Sequence, residues 1–243
     1  MWYEGTMPRT ARAATGGICC HVLNRGNARA EVFHDQEDYA AFMDLMGRAC
    51  GRVAMRVLGW CLMPNHFHLV LWPRADGDLG RWMQWLMTSH VRRYHGRYGS
   101  SGHVWQGRFK SFPIQRRRPP ARARAAGLLE AANPLWLVLR YVERNALRAR
   151  LVRQAEKWAW SSLRWWLRPA DPRPVRIWPA GRPKNWAALV NRPLSEAEVA
   201  ALRRSVNRGT PLGQALWVRR VAAKLGLQHS LRPRGRPPKR PEK

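Results

Sequence analysis

The sequence predicts an α+β chain: a ferredoxin-like (RRM-like) antiparallel sheet with helices on one face, followed by a basic helical C-terminal extension. Three observations carry this expectation. Over residues 16–115 the hydrophobic pattern switches between strand-like alternation and helical spacing in the order β-α-β-β-α-β. A hairpin in the middle of that order favours an antiparallel sheet with the helices segregated to one side. Beyond residue 133 the pattern is helical and rich in arginine.

Each element has its own signal. GGICCHVLNRG (16–26) is an apolar stretch ending in Asn24-Arg25-Gly26, a strand running into a turn. Asp35 can cap a helix whose Tyr39, Phe42, Met43, Met46, Ala49 and Cys50 recur at helical spacing. RVAMRVLGWCLM (52–63) and HFHLVLWP (66–73) read as two strands joined by Pro64-Asn65. After Asp76-Gly77-Asp78, a helix carries Leu79, Trp82, Met83, Leu86 and Met87 on one face. HVWQGRFKSFPIQ (103–115) resumes a strand-like pattern, and residues 116–133, with Pro119-Pro120 and many arginines, look like a basic insertion. Asn133-Pro134 is an N-cap with proline at N1, opening a helix with Leu135, Val138, Leu139, Val142 and Ala146 as its apolar stripe.

WAWSSLRWWLRPADPRP (158–174) ends proline-rich, which suggests a boundary. The expected layout is an N-terminal segment 1–15, a sheet-based domain 16–170 and an extension 171–243. In the extension, Ser195 and Glu198 form a capping box, and Gly209 and Gly226 stop two short basic helices. The tail LRPRGRPPKRPEK holds Arg234 and Arg236 around a glycine, a composition suited to a minor-groove arm.

A formal charge of +29 attracts a polyanion, and Lys/Arg contacts to phosphate supply most non-specific nucleic-acid affinity. No apolar run reaches the roughly 18–20 residues that span a bilayer, and MWYEGTMPRTARAATGG lacks the apolar core of a signal peptide. Cys19, Cys20, Cys50 and Cys61 have no CxxC spacing, so neither a zinc site nor a disulfide framework is expected; a reduced bacterial cytoplasm, near the nucleoid, is the expected location.

Candidate chemistry centres on His66 and His68. At i and i+2 of a strand they share a face, and two neutral imidazoles side by side can hold a divalent ion. The competing reading is an exposed polar pair on a half-solvated strand. Tyr141 and Asn145 are four apart on a helix and share its face, so a tyrosine nucleophile and an amide oxygen can meet such an ion. Tyr3, Tyr39, Tyr94 and Tyr98 compete for the nucleophile's role, with Tyr94 and Tyr98 also at i, i+4. Arg25, Arg108 and Lys110 are placed to touch phosphates, with ordinary surface charge as the competing reading, and Trp105 could stack on a base, with core packing the favoured role for any one tryptophan.

MPNHFHLVL, WQGRFKSFPI, LRYVERNALRARLV and WAWSS, in this order, resemble the REP-associated tyrosine transposases, single-tyrosine relatives within the HUH superfamily; the likeness spans roughly residues 16–165. The resemblance implies Mg²⁺ or Mn²⁺ on His66 and His68, Asn145 as the amide ligand and Tyr141 as nucleophile. It also implies cleavage and rejoining of single-stranded DNA at hairpin sequences through a 5′-phosphotyrosyl intermediate, by a monomer or homodimer, with no membrane or small-molecule substrate. The longer linker at 116–133 departs from the family pattern and keeps a binding-only relative in play. An RNA-binding module is the other alternative, because this sheet layout also serves RNA recognition.

Overall fold

The computed structural model describes residues 15–116, 133–168 and 174–232. Strands β1 (Cys19–Arg25), β2 (Met55–Met63), β3 (His66–Pro73) and β4 (Lys110–Ile114) form one sheet in the order β2-β3-β1-β4, every neighbouring pair antiparallel. This is the ferredoxin-like arrangement. The β2–β3 hairpin turns at Pro64-Asn65, and a register shift between Val57 and Gly59 kinks β2.

Helices α1 (Gln36–Arg52) and α2 (Asp78–Tyr98) cover one face. The Asp35 carboxylate accepts from the Asp38 N–H to start α1, and Gly77 takes the left-handed backbone (φ 79°) that starts α2. The expected stripes are the ones that bury: Tyr39, Phe42, Met43, Met46 and Ala49 from α1, and Leu79, Trp82, Met83 and Leu86 from α2, against Trp60, Phe67 and Leu69. One strand is shorter than expected. Residues 103–109 form a loop, tied to the first strand's end by Asn27 N–H to Val104 O and Gln106 N–H to Arg25 O, and Gly107 at φ 121° interrupts the extended run before β4.

The other face is covered too. Helix α3 (Pro134–Glu143), capped by Asn133, lays Leu135, Val138, Leu139 and Val142 against Leu58, Cys61, Val70 and Phe112. After a turn at Arg144 it continues as α4 (Asn145–Arg148). Gly59 permits the close approach: a Cβ there would lie 2.6 Å from Leu139 Cδ2.

The chain then forms α5 (Ser162–Leu167), α6 (Trp186–Asn191), α7 (Glu196–Arg208) and α8 (Ala215–Lys224). The Ser195–Glu198 capping box and left-handed Gly209 bound α7 as expected. Trp186, Leu189, Val190 and Leu202 join the α3 core, while Val175 and Ile177 join the α1/α2 core. Ile177 pairs in parallel with Val57 and Leu212 with Ile114, so the residues after 173 cap both edges of the sheet. The extension is therefore built onto the sheet rather than tethered to it.

Burial has a pH consequence in the first core. His90 is 2 % exposed among Phe33, Phe42 and Trp105, and its Nδ1 has no partner. Burial first, then Arg93, depresses its pKa to about 4, against the raising influence of Asp38. The unfolded chain protonates this histidine below about 6.5 while the folded chain does not, so stability present above pH 6.5 is lost as pH falls toward 4. One such group sets a slope of up to about 1.4 kcal/mol per pH unit. Urea unfolding of His90→Leu at pH 7 and pH 4.5 is expected to show a shallower acid loss than wild type; equal losses would remove His90 as a cause.

Candidate active site

The second face of the sheet carries the histidines. Cross-strand partners set its rows: His68 lies opposite Leu23 and Cys61, Leu23 opposite Lys110, His66 opposite Arg25 and Met63, and His21 opposite Val70 and Phe112. Opposed residues share a face, so His21, His66, His68, Arg25 and Lys110 all belong to the α3 side. The His68 and His21 rings stack at 5.0 Å with 11° between planes, and His66 meets His68 edge-on at 5.1 Å. His68 is 3 % exposed, which overturns the reading of an exposed polar pair on a half-solvated strand.

Tyr141 arrives from above on α3. Its ring lies 5.7 Å from His68 and 6.2 Å from His21, both edge-on. The Arg148 guanidinium lies over the same ring, 5.3 Å from its centroid. The competing tyrosines are elsewhere. Tyr39 packs in the α1/α2 core, Tyr94 OH meets His34 Nε2 at 2.9 Å, and Tyr98 OH donates to Asp38 at 2.6 Å. Tyr3 lies outside the described residues.

The hydrogen bonds fix the state of the imidazoles. Asn65 Nδ2 donates to Arg29 O, which orients the amide so that its Oδ1 accepts from His66 Nδ1 at 2.7 Å. The proton is then on Nδ1, and His66 Nε2 carries a lone pair. His68 Nδ1 meets His21 Nε2 at 2.9 Å, while His21 Nδ1 is buried with no partner. Burial first, then Arg25 and Arg148, lowers the His66 pKa to about 4. Burial also holds His21 near 3 and, with the neighbouring histidines and arginines, holds His68 well below the usual histidine range. All three are neutral at pH 7, the form that ligates metals.

Asn145 is 1 % exposed and sits at the helix break. Its Nδ2 donates to Tyr141 O (2.9 Å) and Val142 O (3.3 Å), and its Oδ1 accepts from Arg148 Nη2 at 2.7 Å. The amide thus ties the tyrosine's own backbone to Arg148, and its oxygen keeps a second lone pair. Among the described residues no group of three His, Cys, Asp or Glu could hold a metal. Two imidazoles and an amide oxygen, if they shared an ion, would suit Mn²⁺ better than Mg²⁺, which favours oxygen ligands and retained waters.

Arg25 and Lys110 are exposed beside the histidine rows. Arg108 is exposed on the other side, at a crevice of about 670 Å³ between α2 and the 102–109 loop, with Arg92 and Met87 in its wall. Trp105 needs correction. It is 4 % exposed and packs edge-on to Phe67 at 5.2 Å in the α1/α2 core, so core packing takes the ring surface that base stacking would use. Arg234 and Arg236 lie outside the described residues. The sequence reading passed over His21 and Arg148. His21 stands in an apolar strand with no spacing signal of its own; Arg148, three after Asn145 and seven after Tyr141, carried a helical-face signal that could have found it.

The model of the IS200-like transposase family matches residues 15–122. Over that span the chain is similar to the IS200-like transposases. The match contains His66 and His68 and stops before Tyr141. No curated protein matches the chain. Among solved structures, a REP-associated tyrosine transposase bound to a REP hairpin is similar at 18 % identity, over 68 % of this chain and 89 % of that one, with a TM-score of 0.47. A putative transposase from Deinococcus radiodurans R1 is similar at 15 % identity, over 49 % of this chain and 92 % of that one, with a TM-score of 0.34. No helix among the described residues is long and apolar enough to cross a membrane.

Proposed function

We propose that this protein is a transposase that cuts and rejoins single-stranded DNA at hairpin-bearing, REP-like sequences, with Tyr141 as nucleophile. The observation supporting this reading is the meeting of Tyr141 with the neutral His66–His68 pair on one sheet face. The Tyr141 hydroxyl gives up its proton and its oxygen bonds to phosphorus. The P–O3′ bond breaks, leaving a 5′-phosphotyrosyl link and a free 3′-OH. Rejoining reverses these steps, so bond energy is conserved. Arg148, over the tyrosine ring, offsets the charge that develops as the phenol oxygen attacks, and Arg25 offers a second positive group beside His66.

His66 and His68 would hold Mn²⁺ or Mg²⁺, with Asn145 Oδ1 as the remaining protein donor. When bound, the ion supplies Lewis-acid offset of charge on the scissile phosphate. His21 sets the tautomer this requires. His68 can ligate through Nε2 only with its proton on Nδ1, and His21 Nε2 is the acceptor for that proton. In titration calorimetry of the metal-free protein with Mn²⁺, His21→Phe is expected to weaken binding about 10–100-fold, as losing such an outer partner does. His21→Gln, which keeps an acceptor, is expected to recover part of it; equal loss in both variants would reduce His21 to packing.

The test of the function uses hairpin oligonucleotides from the DNA flanking the gene, labelled at either end, on denaturing gels with and without Mn²⁺. Wild type is expected to form a metal-dependent covalent adduct that His66→Ala/His68→Ala lacks. Tight hairpin binding with no adduct from folded wild type would instead make the protein a binding-only relative. Preference for an RNA of the same sequence would favour the RNA-binding alternative.

A further inference from the structure

At the far end of the same face, five planar side chains stack in alternation. Arg116 lies 3.5 Å and Arg56 4.1 Å from the Trp72 ring centroid, distances two guanidiniums share only from opposite faces of the indole. Arg56 also lies 4.8 Å from Trp178, and Arg176 5.2 Å from that ring. The order is Arg116–Trp72–Arg56–Trp178–Arg176. Arg56 and Trp72 are direct cross-strand partners, which fixes the centre of the ladder to the sheet. Its outer members, Arg116 and Arg176, are exposed, and the middle three are half-buried.

Among the described residues the charge of this ladder has no counterpart. No acidic side chain among the described residues pairs with Arg56, Arg116 or Arg176. The Nε of Arg56 is buried without a hydrogen-bond partner. Contrast Arg93 and Arg97 on the other face, which are neutralised by Asp35, Glu37 and Asp38. Stacking occupies the guanidinium planes and leaves their N–H edges for a ligand, the geometry in which arginine binds phosphate oxygens in pairs. Both faces of Trp72 are already taken, so this surface addresses the backbone of a strand rather than its bases. Trp72 stands four residues beyond His68 on β3, about 13 Å along the strand at ~3.3 Å per residue.

We propose that this arginine–tryptophan ladder is a phosphate track for the single-stranded DNA that flanks the cleavage point. The assignment rests on the transposase reading for its ligand, but its test does not depend on cleavage. Binding of a fluorescein-labelled single-stranded oligonucleotide is measured by anisotropy across a salt series, in EDTA, for wild type, Arg116→Ala, Arg176→Ala and the double variant. Arg52→Ala is the control, an exposed arginine stacked on Trp85 in the α1/α2 layer, 5.0 Å from its ring.

Each ladder variant is expected to weaken binding at least about threefold and to lower the salt slope by about 0.7, the share of one phosphate contact on a single strand. The double variant should lose twice that slope, and Arg52→Ala almost none. Unchanged slopes in folded ladder variants, or an equal loss in Arg52→Ala, would overturn the proposal. So would tighter binding of RNA of the same sequence. A wild type that binds with this pattern yet forms no adduct would refute the nuclease reading and leave the track standing.

Discussion

Tyr141→Phe is expected to abolish the covalent protein–DNA adduct and to lower strand cleavage by at least about 10³-fold, the scale on which losing a nucleophile acts. The variant removes one oxygen and little else. Phenylalanine keeps the edge-on contacts to His21 and His68 and the face beneath Arg148, so the second core should hold. Thermal unfolding of the variant within a few degrees of wild type would establish this. Mn²⁺ binding should also survive, because the imidazole nitrogens do not depend on the phenol. Tyr94→Phe and Tyr98→Phe should keep the adduct, since their hydroxyls are engaged with His34 and Asp38 in the α1/α2 layer. For Tyr98, burial and the bond to Asp38 raise the pKa to about 12, away from the ionised state an attack needs. An adduct that persisted in Tyr141→Phe and vanished in Tyr98→Phe would move the chemistry to the other layer.

Local pattern made much of this legible. The H-x-H spacing placed two imidazoles on one face. Periodicity named the buried stripes of α1, α2 and α3, and the turn and cap residues bounded the elements. What pattern does not encode is register between distant strands. His21 reaches His68 because β1 pairs with β3 so that Leu23 faces His68, a relation across some 47 residues. Nor does the Y-x-x-x-N spacing reveal that the helix breaks at Arg144 and that Asn145 bonds back to Tyr141 O. Trp105 shows the opposite case. The sequence left base stacking open beside core packing, and the loop packs the ring against Phe33 and Phe67. The second covered face was likewise hidden, because helical spacing identifies an apolar stripe without naming the sheet face that receives it.

The largest expected stability effect lies two residues beyond the tyrosine. Glu143→Ala is expected to destabilise the fold by about 3–5 kcal/mol, the cost of leaving a buried partner charge uncompensated. Glu143 is fully buried, and its carboxylate accepts from Arg182 (2.8 Å) and Ser162 (2.6 Å) on one oxygen and from Trp186 Nε1 (2.6 Å) on the other. Ser162 Oγ accepts in turn from the Trp60 N–H, and Arg182 Nη2 donates to Leu58 O. One carboxylate thus pins the end of α3 to β2, α5 and α6. Removing it strands Arg182, whose Nε and Nη1 already lack partners in the interior. A double variant, Glu143→Leu/Arg182→Met, removes both charges together and should recover much of the loss, since a buried pair stabilises little beyond an apolar pair of similar size. Urea unfolding of wild type, the single and the double variant forms the required comparison. If the single variant costs under about 1 kcal/mol, water reaches the site and the network is not the clamp described. The same comparison bears on catalysis. A shift of about 1 Å at a reacting group can cost roughly 100-fold in rate, so a folded Glu143→Gln should lose cleavage rate, because it loosens the helix that carries Tyr141; Mn²⁺ affinity should fall only by the share that Asn145 contributes, since the histidines stay on the sheet.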